Sequence, residues 1–315
     1  MGYLLRADWL RIRRRWDVWI IVLGIPALGL LAYVTGAMSA GNNQIQTSGD
    51  IPPEFQLQIA AQAAAEKAFA ALPYQFPQSI ATMVEGTAMW LLLGAAYLAA
   101  SLLGNEFSWG TIRNVALIQP GRLRYLAVRL AWLVALVLVA VGAVTTLGAI
   151  APAIVRVDPG DPSALTQDPS SFGMLVPPAP VTIGGALIVV GSLLCVSLAA
   201  MVLVGLAALT FRSASSGFLV AAIYVVVEGI AAALAMSRAT GDLRYLPQLA
   251  LTTRLTALVQ DAQVAAGLSS GAGNPASSPG WVALPPLVGA GIIAVWLCAL
   301  LSLWFVVLRR ADIAE

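Results

Sequence analysis

The sequence predicts an all-α integral membrane protein with six transmembrane helices. Three observations predict it. Of 315 residues, 59% are hydrophobic and only 10% are charged, where a soluble domain carries about 25% charged residues. Six apolar runs reach the length of roughly 20 residues that a bilayer crossing needs. The basic residues divide unevenly between the segments that join those runs, twelve on one side and five on the other, the asymmetry that orients membrane chains. The whole chain, 1–315, reads as a single transmembrane domain.

Residues 1–17 open the chain with Arg6, Arg11, Arg13, Arg14 and Arg15. Leu5, Trp9, Ile12 and Trp16 recur among them at spacings of four, three and four. That is the pattern of a basic amphipathic helix lying in the membrane interface, or of a positive anchor for the next span. No small-residue cleavage site follows, so the first span, Trp19 to Met38, is expected to be retained. Pro26 and Gly24 are tolerable inside it. A long polar segment, 39–79, comes next. Within it Pro53 to Leu72 reads as a short helix opened by proline, filled with alanine and stopped by Pro73.

The second span runs from Ile80 to Leu103, with Glu85 near its start and expected to be wet. Asn105 to Arg129 is the one long polar stretch between spans that still reads as structured. It holds Glu106, Trp109, Gly110, Thr111 and Arg113, then an apolar run to Pro120-Gly121, where a helix should stop. The third span covers Leu130 to Ile154, and 155–180 is a loop rich in proline, aspartate and serine. The fourth and fifth spans, Val181 to Leu209 and Gly217 to Met236, are joined by a tight link around Arg212. Residues 237–283 hold an amphipathic stretch too polar to cross alone, and then a Gly/Ser/Pro linker. The sixth span covers Leu284 to Val307.

Six spans place both termini on one side, and the arginine excess places that side in the cytoplasm. Residues 105–129 then face inward, and the three long segments face out. The near absence of lysine points to a GC-rich genome, and a bacterial source is expected.

Composition also excludes chemistry. There is no histidine, so imidazole catalysis and histidine metal ligation are ruled out. Cys195 and Cys298 sit in apolar runs and are expected to be small core residues. No phosphate-cradling G-x-x-x-x-G-K-[ST] loop occurs, and no catalytic constellation, so the chain is expected not to be an enzyme. A net charge of +2 gives no reason to expect a nucleic-acid partner. Glu228, midway along the fifth span, is costly in lipid and must be protonated, paired or wet. It reads as a polar contact between helices, or as a substrate or proton site.

The residues resemble a known family. The start LLRADWLRIRRRWDVWI, the stretch GNEFSWGTIRNVALIQPGRLRYLAVR, the Tyr245-Leu246-Pro247 region and the ending FVVLRRADI are together similar to permease subunits of ABC transporters, of the ABC-2 type with a type V exporter fold. The long first outer loop departs from that pattern. The resemblance implies a cytoplasmic coupling helix within 105–124 and a re-entrant or amphipathic segment between helices 5 and 6. Glu106, Trp109, Gly110, Thr111 and Arg113 would then contact a separate cytoplasmic ATPase subunit. That partner, not this chain, would hold ATP and magnesium. A second permease copy or paralogue would complete a dimer in the cell membrane, with membrane lipid around it.

Two other functions stay open. One is a proton-coupled secondary transporter using Glu228. The other is a non-transporting assembly or sensor subunit.

Overall fold

The computed structural model describes residues 2–42, 56, 60, 63–64, 67–68, 70–104, 122–158, 182–238, 249–251, 254 and 285–311. All regular structure among them is helical. Six helices are long and apolar enough to cross a membrane, so the chain is built as a multi-pass membrane protein.

Helix α1 (Gly2–Arg13) precedes the first span. The break after it is sharp: Arg14 and Arg15 donate back to Arg11 and Ile12 in a turn. The first span then starts at Trp16 with α2 (Trp16–Trp19), passes through a π-helical turn (Ile20–Gly24) and continues as α3 (Ile25–Asn42). Trp16 therefore does not extend the apolar face of α1, as its spacing suggested. It is 82% exposed at the mouth of the span, because the turn at residues 14–15 resets the helical phase.

In the 53–72 stretch, the described residues Gln56, Ala60, Ala63, Ala64, Lys67, Ala68, Ala70 and Ala71 are helical. Ala68 and Ala71, three apart and so on one face, are buried. A tight 3-10 turn over Leu72–Tyr74 then ends the run at Pro73, whose ring denies the helix an N–H donor.

The second span is α4 (Gln78–Ala99), extended by a π-helical turn (Ala100–Gly104). The third is α5 (Arg122–Ile154). Its apolar window opens at Ala127, but the helix itself starts at Arg122, well before Leu130. The residues from Arg122 to Arg129 are good helix formers without a breaker. The fourth span, α6 (Ile183–Thr210), is capped by the Thr182 hydroxyl, which accepts from the Gly185 N–H at 3.0 Å. The fifth is α7 (Ala214–Arg238) and the sixth is α8 (Pro286–Ala311).

The fourth span is the hub, packing against the second, third, fifth and sixth, while the first packs on the second and third. Small and hydroxyl residues let the central helices approach closely, as they do in lipid, where apolar burial alone drives nothing together. At one end of the bundle Ser79 donates to the Gly148 carbonyl at 2.7 Å, joining the second and third spans. Tyr33 on the first span donates to the Tyr74 carbonyl at 2.9 Å and packs edge-on against the Tyr74 ring.

Between the fifth and sixth spans, Leu251 and Arg254 are helical and fully buried. Trp296 on the sixth span donates to the Leu249 carbonyl at 2.9 Å. This part of the 237–283 region thus folds back onto the bundle. Arg254 counts in the sequence as a basic residue of an outer loop, yet it is enclosed. Arg129, counted on the opposite side, is enclosed too. Discounting one from each side leaves the arginine excess unchanged.

Candidate functional site

The five residues singled out as a partner-binding handle, Glu106, Trp109, Gly110, Thr111 and Arg113, lie outside the described residues. The structure does describe both ends of that stretch and what they rest on. It leaves the second span at Gly104 and enters α5 at Arg122. Four elements meet there: α1, the end of the second span, the start of the third and the turn between the fourth and fifth.

The tightest tie is ionic. Asp8 on α1 and Arg129 on the third span approach to 3.3 Å, with both side chains almost wholly enclosed, 6% and 3% exposed. Such a pair survives burial because each charge answers the other, and losing one partner strands the second. Beside it the Trp9 ring stacks on Trp132, centroids 5.2 Å apart and planes within 20°. Trp9 also meets Trp19 of the first span edge-on at 6.3 Å. Ile12, one turn beyond Asp8, is fully buried. One face of α1 is therefore seated on the third span by charge, ring and aliphatic contact together.

The joint between α1 and the first span is fixed by its own contacts. The Arg15 guanidinium donates twice to the Asp17 carboxylate, at 3.1 and 2.7 Å, and reaches the Ser101 carbonyl at 3.5 Å. The Trp19 indole donates to the Arg13 carbonyl at 3.0 Å. Ser101 lies in the π-helical turn that closes the second span, a geometry that recurs at functional sites.

Glycine permits the remaining contacts. A Cβ on Gly104 would collide with the backbone of Ala214, where the fifth span starts. A Cβ on Gly217 would collide with the backbone of Ala208 across the turn from the fourth span. Arg212 sits in that turn with a φ of 53°, a left-handed conformation usually left to glycine or asparagine. The start of the 105–121 stretch is thus braced by backbone packed on backbone.

Asp8 was not anticipated as a site residue. Its signal was present: it is the one acid within residues 1–16, among five arginines. Arg129, the last residue of the 105–129 stretch, is committed to Asp8. Glu228 is half-buried on α7 and bonds the Tyr224 hydroxyl one turn earlier on the same helix. Glu85 is exposed on the second span.

Gly267-Leu268-Ser269-Ser270-Gly271 spells G-x-S-x-G in the linker before the sixth span. A nucleophile elbow needs a strand-to-helix turn and a histidine base, and the chain has no histidine.

Comparison of the chain with family models, with curated proteins and with solved structures found no match.

Proposed function

We propose that the chain is the membrane permease of an ABC-type exporter, moved by a separate cytoplasmic ATPase that docks on residues 105–121. The observation that carries this reading is the braced base under that stretch. A force applied between Gly104 and Arg122 would enter the second and third spans directly. It would also reach α1 through Asp8–Arg129 and the fifth span through the Gly104–Ala214 contact. A lever needs such a footing, and a loose solvent loop does not. The ABC-2 resemblance of the same stretch and the absence of a phosphate-binding loop in this chain support the same division of labour.

In this reading the termini and the 105–121 stretch lie in the cytoplasm. Glu106 and Arg113 make charged contacts with the ATPase, and Gly110 admits its backbone closely. Residues 249–251 and 254 belong to the re-entrant or amphipathic segment between helices 5 and 6, and a second permease copy completes the transporter.

The test is co-purification. The tagged chain should bring down an ATPase subunit from its own cells. Glu106→Ala should leave the chain folded and the complex formed, but hydrolysis should lose its response to transport. Recovery of no ATPase, with flux driven by a proton gradient and abolished by Glu228→Gln, would replace this reading with the proton-coupled one. Capture of an outer partner through residues 39–79 with no flux would support the assembly or sensor role.

A further inference from the structure

The two faces of α1 are opposite in kind. Asp8 and Ile12, one turn apart, face the bundle and are enclosed. Arg6, Leu10 and Arg13, spaced by four and three, form a stripe on the other side. All three are exposed, Leu10 by 52%. Arg14 is exposed just past the end of the helix. None of these three arginines makes an ion pair among the described residues.

We infer that this stripe is a binding site for the headgroups of anionic phospholipids, independent of whether the chain is a transporter. The chain itself sets the depth. The first span opens at Trp16, three residues after Arg13, so these arginines lie where lipid phosphates lie. The stripe also mixes cation with exposed hydrocarbon. Leu10 and, at the mouth of the span, Trp16 and Ile20 offer apolar surface that suits the boundary between headgroup and acyl chain. An acidic soluble protein would match the charge but leave that hydrocarbon in water. Because the Asp8 face is seated on the third span, the lipid-binding face is held at a fixed orientation.

The experiment uses the full chain in vesicles of phosphatidylcholine and phosphatidylglycerol in equal amounts. After extraction in mild detergent, native mass spectrometry counts the lipids that remain bound. Phosphatidylglycerol should be enriched at least about fivefold over phosphatidylcholine, given the attraction of several arginines at an anionic surface. Replacing Arg6, Arg13 and Arg14 together by glutamine should return the ratio to that of the vesicle. Replacing all three by lysine should keep most of the enrichment, and Arg156→Gln, at the other end of the bundle, should keep all of it. About 1 M salt should remove it.

Unchanged enrichment in the glutamine variant would overturn the inference. So would displacement of the lipid by excess inorganic phosphate as complete as that caused by the substitutions, which marks a general anion site. Wild-type chain that shows no enrichment, and binds polyglutamate in a salt-sensitive way, would assign the stripe to an acidic protein instead. If the triple glutamine variant fails to fold, the single variants Arg6→Gln, Arg13→Gln and Arg14→Gln carry the test: each should lower the enrichment, and folded single variants that all keep it in full would overturn the inference.

Discussion

The second and fifth spans are alike in hydropathy and opposite in burial. Their apolar windows average 1.6 and 1.8, yet 61% of the second is buried and only 6% of the fifth among the described residues. The fourth span, at 2.8, is buried to 56%. Hydropathy thus says that a helix enters the membrane, but not what it touches there. In lipid the apolar side chain gains little by leaving one hydrocarbon for another. What centres a helix is how closely its backbone can be approached and which polar groups it can satisfy. The second span has Ser79, Thr87 and Ser101 buried along it, and Gly104 at its end. The fifth presents Val225, Val226, Val227 and Ile230 outward.

The dense side of this contrast can be broken most severely through charge. Asp8→Leu or Arg129→Leu strands a buried ion and should cost about 3–5 kcal/mol. The double substitution to a leucine pair should recover most of that. Thermal or detergent unfolding of the four variants reads the cycle. Equal losses in the single and double variants would show that packing, not the pair, holds α1 to the third span. Next in size is Gly104→Ala. A methyl group there meets the Ala214 backbone, which cannot swing aside like a flexible side chain. Forced overpacking should cost about 1–3 kcal/mol, and Gly217→Ala should cost a similar amount against Ala208.

How much of this was legible beforehand follows from the same physics. Six spans and the amphipathic start could be read because length, apolarity and periodicity are properties of one segment. The end of the alanine-rich helix at Pro73 was legible for the same reason. Trp16 misled, since a spacing pattern cannot reveal the turn that resets its phase. The burial of Arg129 could not be read, because a span flank holds both solvated and buried arginines, and only the opposing Asp8 tells them apart. The contacts of Gly104 and Gly217 join chain positions on different helices, so no local rule announces them. Glu106 and its neighbours rest on resemblance alone.

A smaller effect sharpens the contrast at the entry to the second span. Tyr74 precedes that span, and burial pushes its phenol above the ordinary value of 10.0. Folding therefore favours the protonated phenol. The stability this contributes is complete below pH 10 and should be lost as pH rises through the folded value. Tyr74→Phe should remove that alkaline loss while leaving the Tyr33 bond to the residue-74 carbonyl in place. An unfolding curve measured against pH that is identical for wild type and Tyr74→Phe would mean that the ring is wet.

The smallest expected effect is the one that tests the other side. Gly229 lies on the fifth span beside Glu228, and a Cβ added to it meets nothing within 4 Å. Gly229→Leu should therefore change the stability of the isolated chain by no more than about 0.5 kcal/mol, as a surface substitution does. The same leucine placed at Gly104 should be severely destabilising. Measured in detergent at low protein concentration, the two variants isolate burial from hydropathy, because each gains the same side chain. If Gly229→Leu leaves the monomer intact but lowers assembly at high concentration, the open face of the fifth span is where a second copy rests. If it destabilises the monomer as Gly104→Leu does, the contrast between the two spans is wrong.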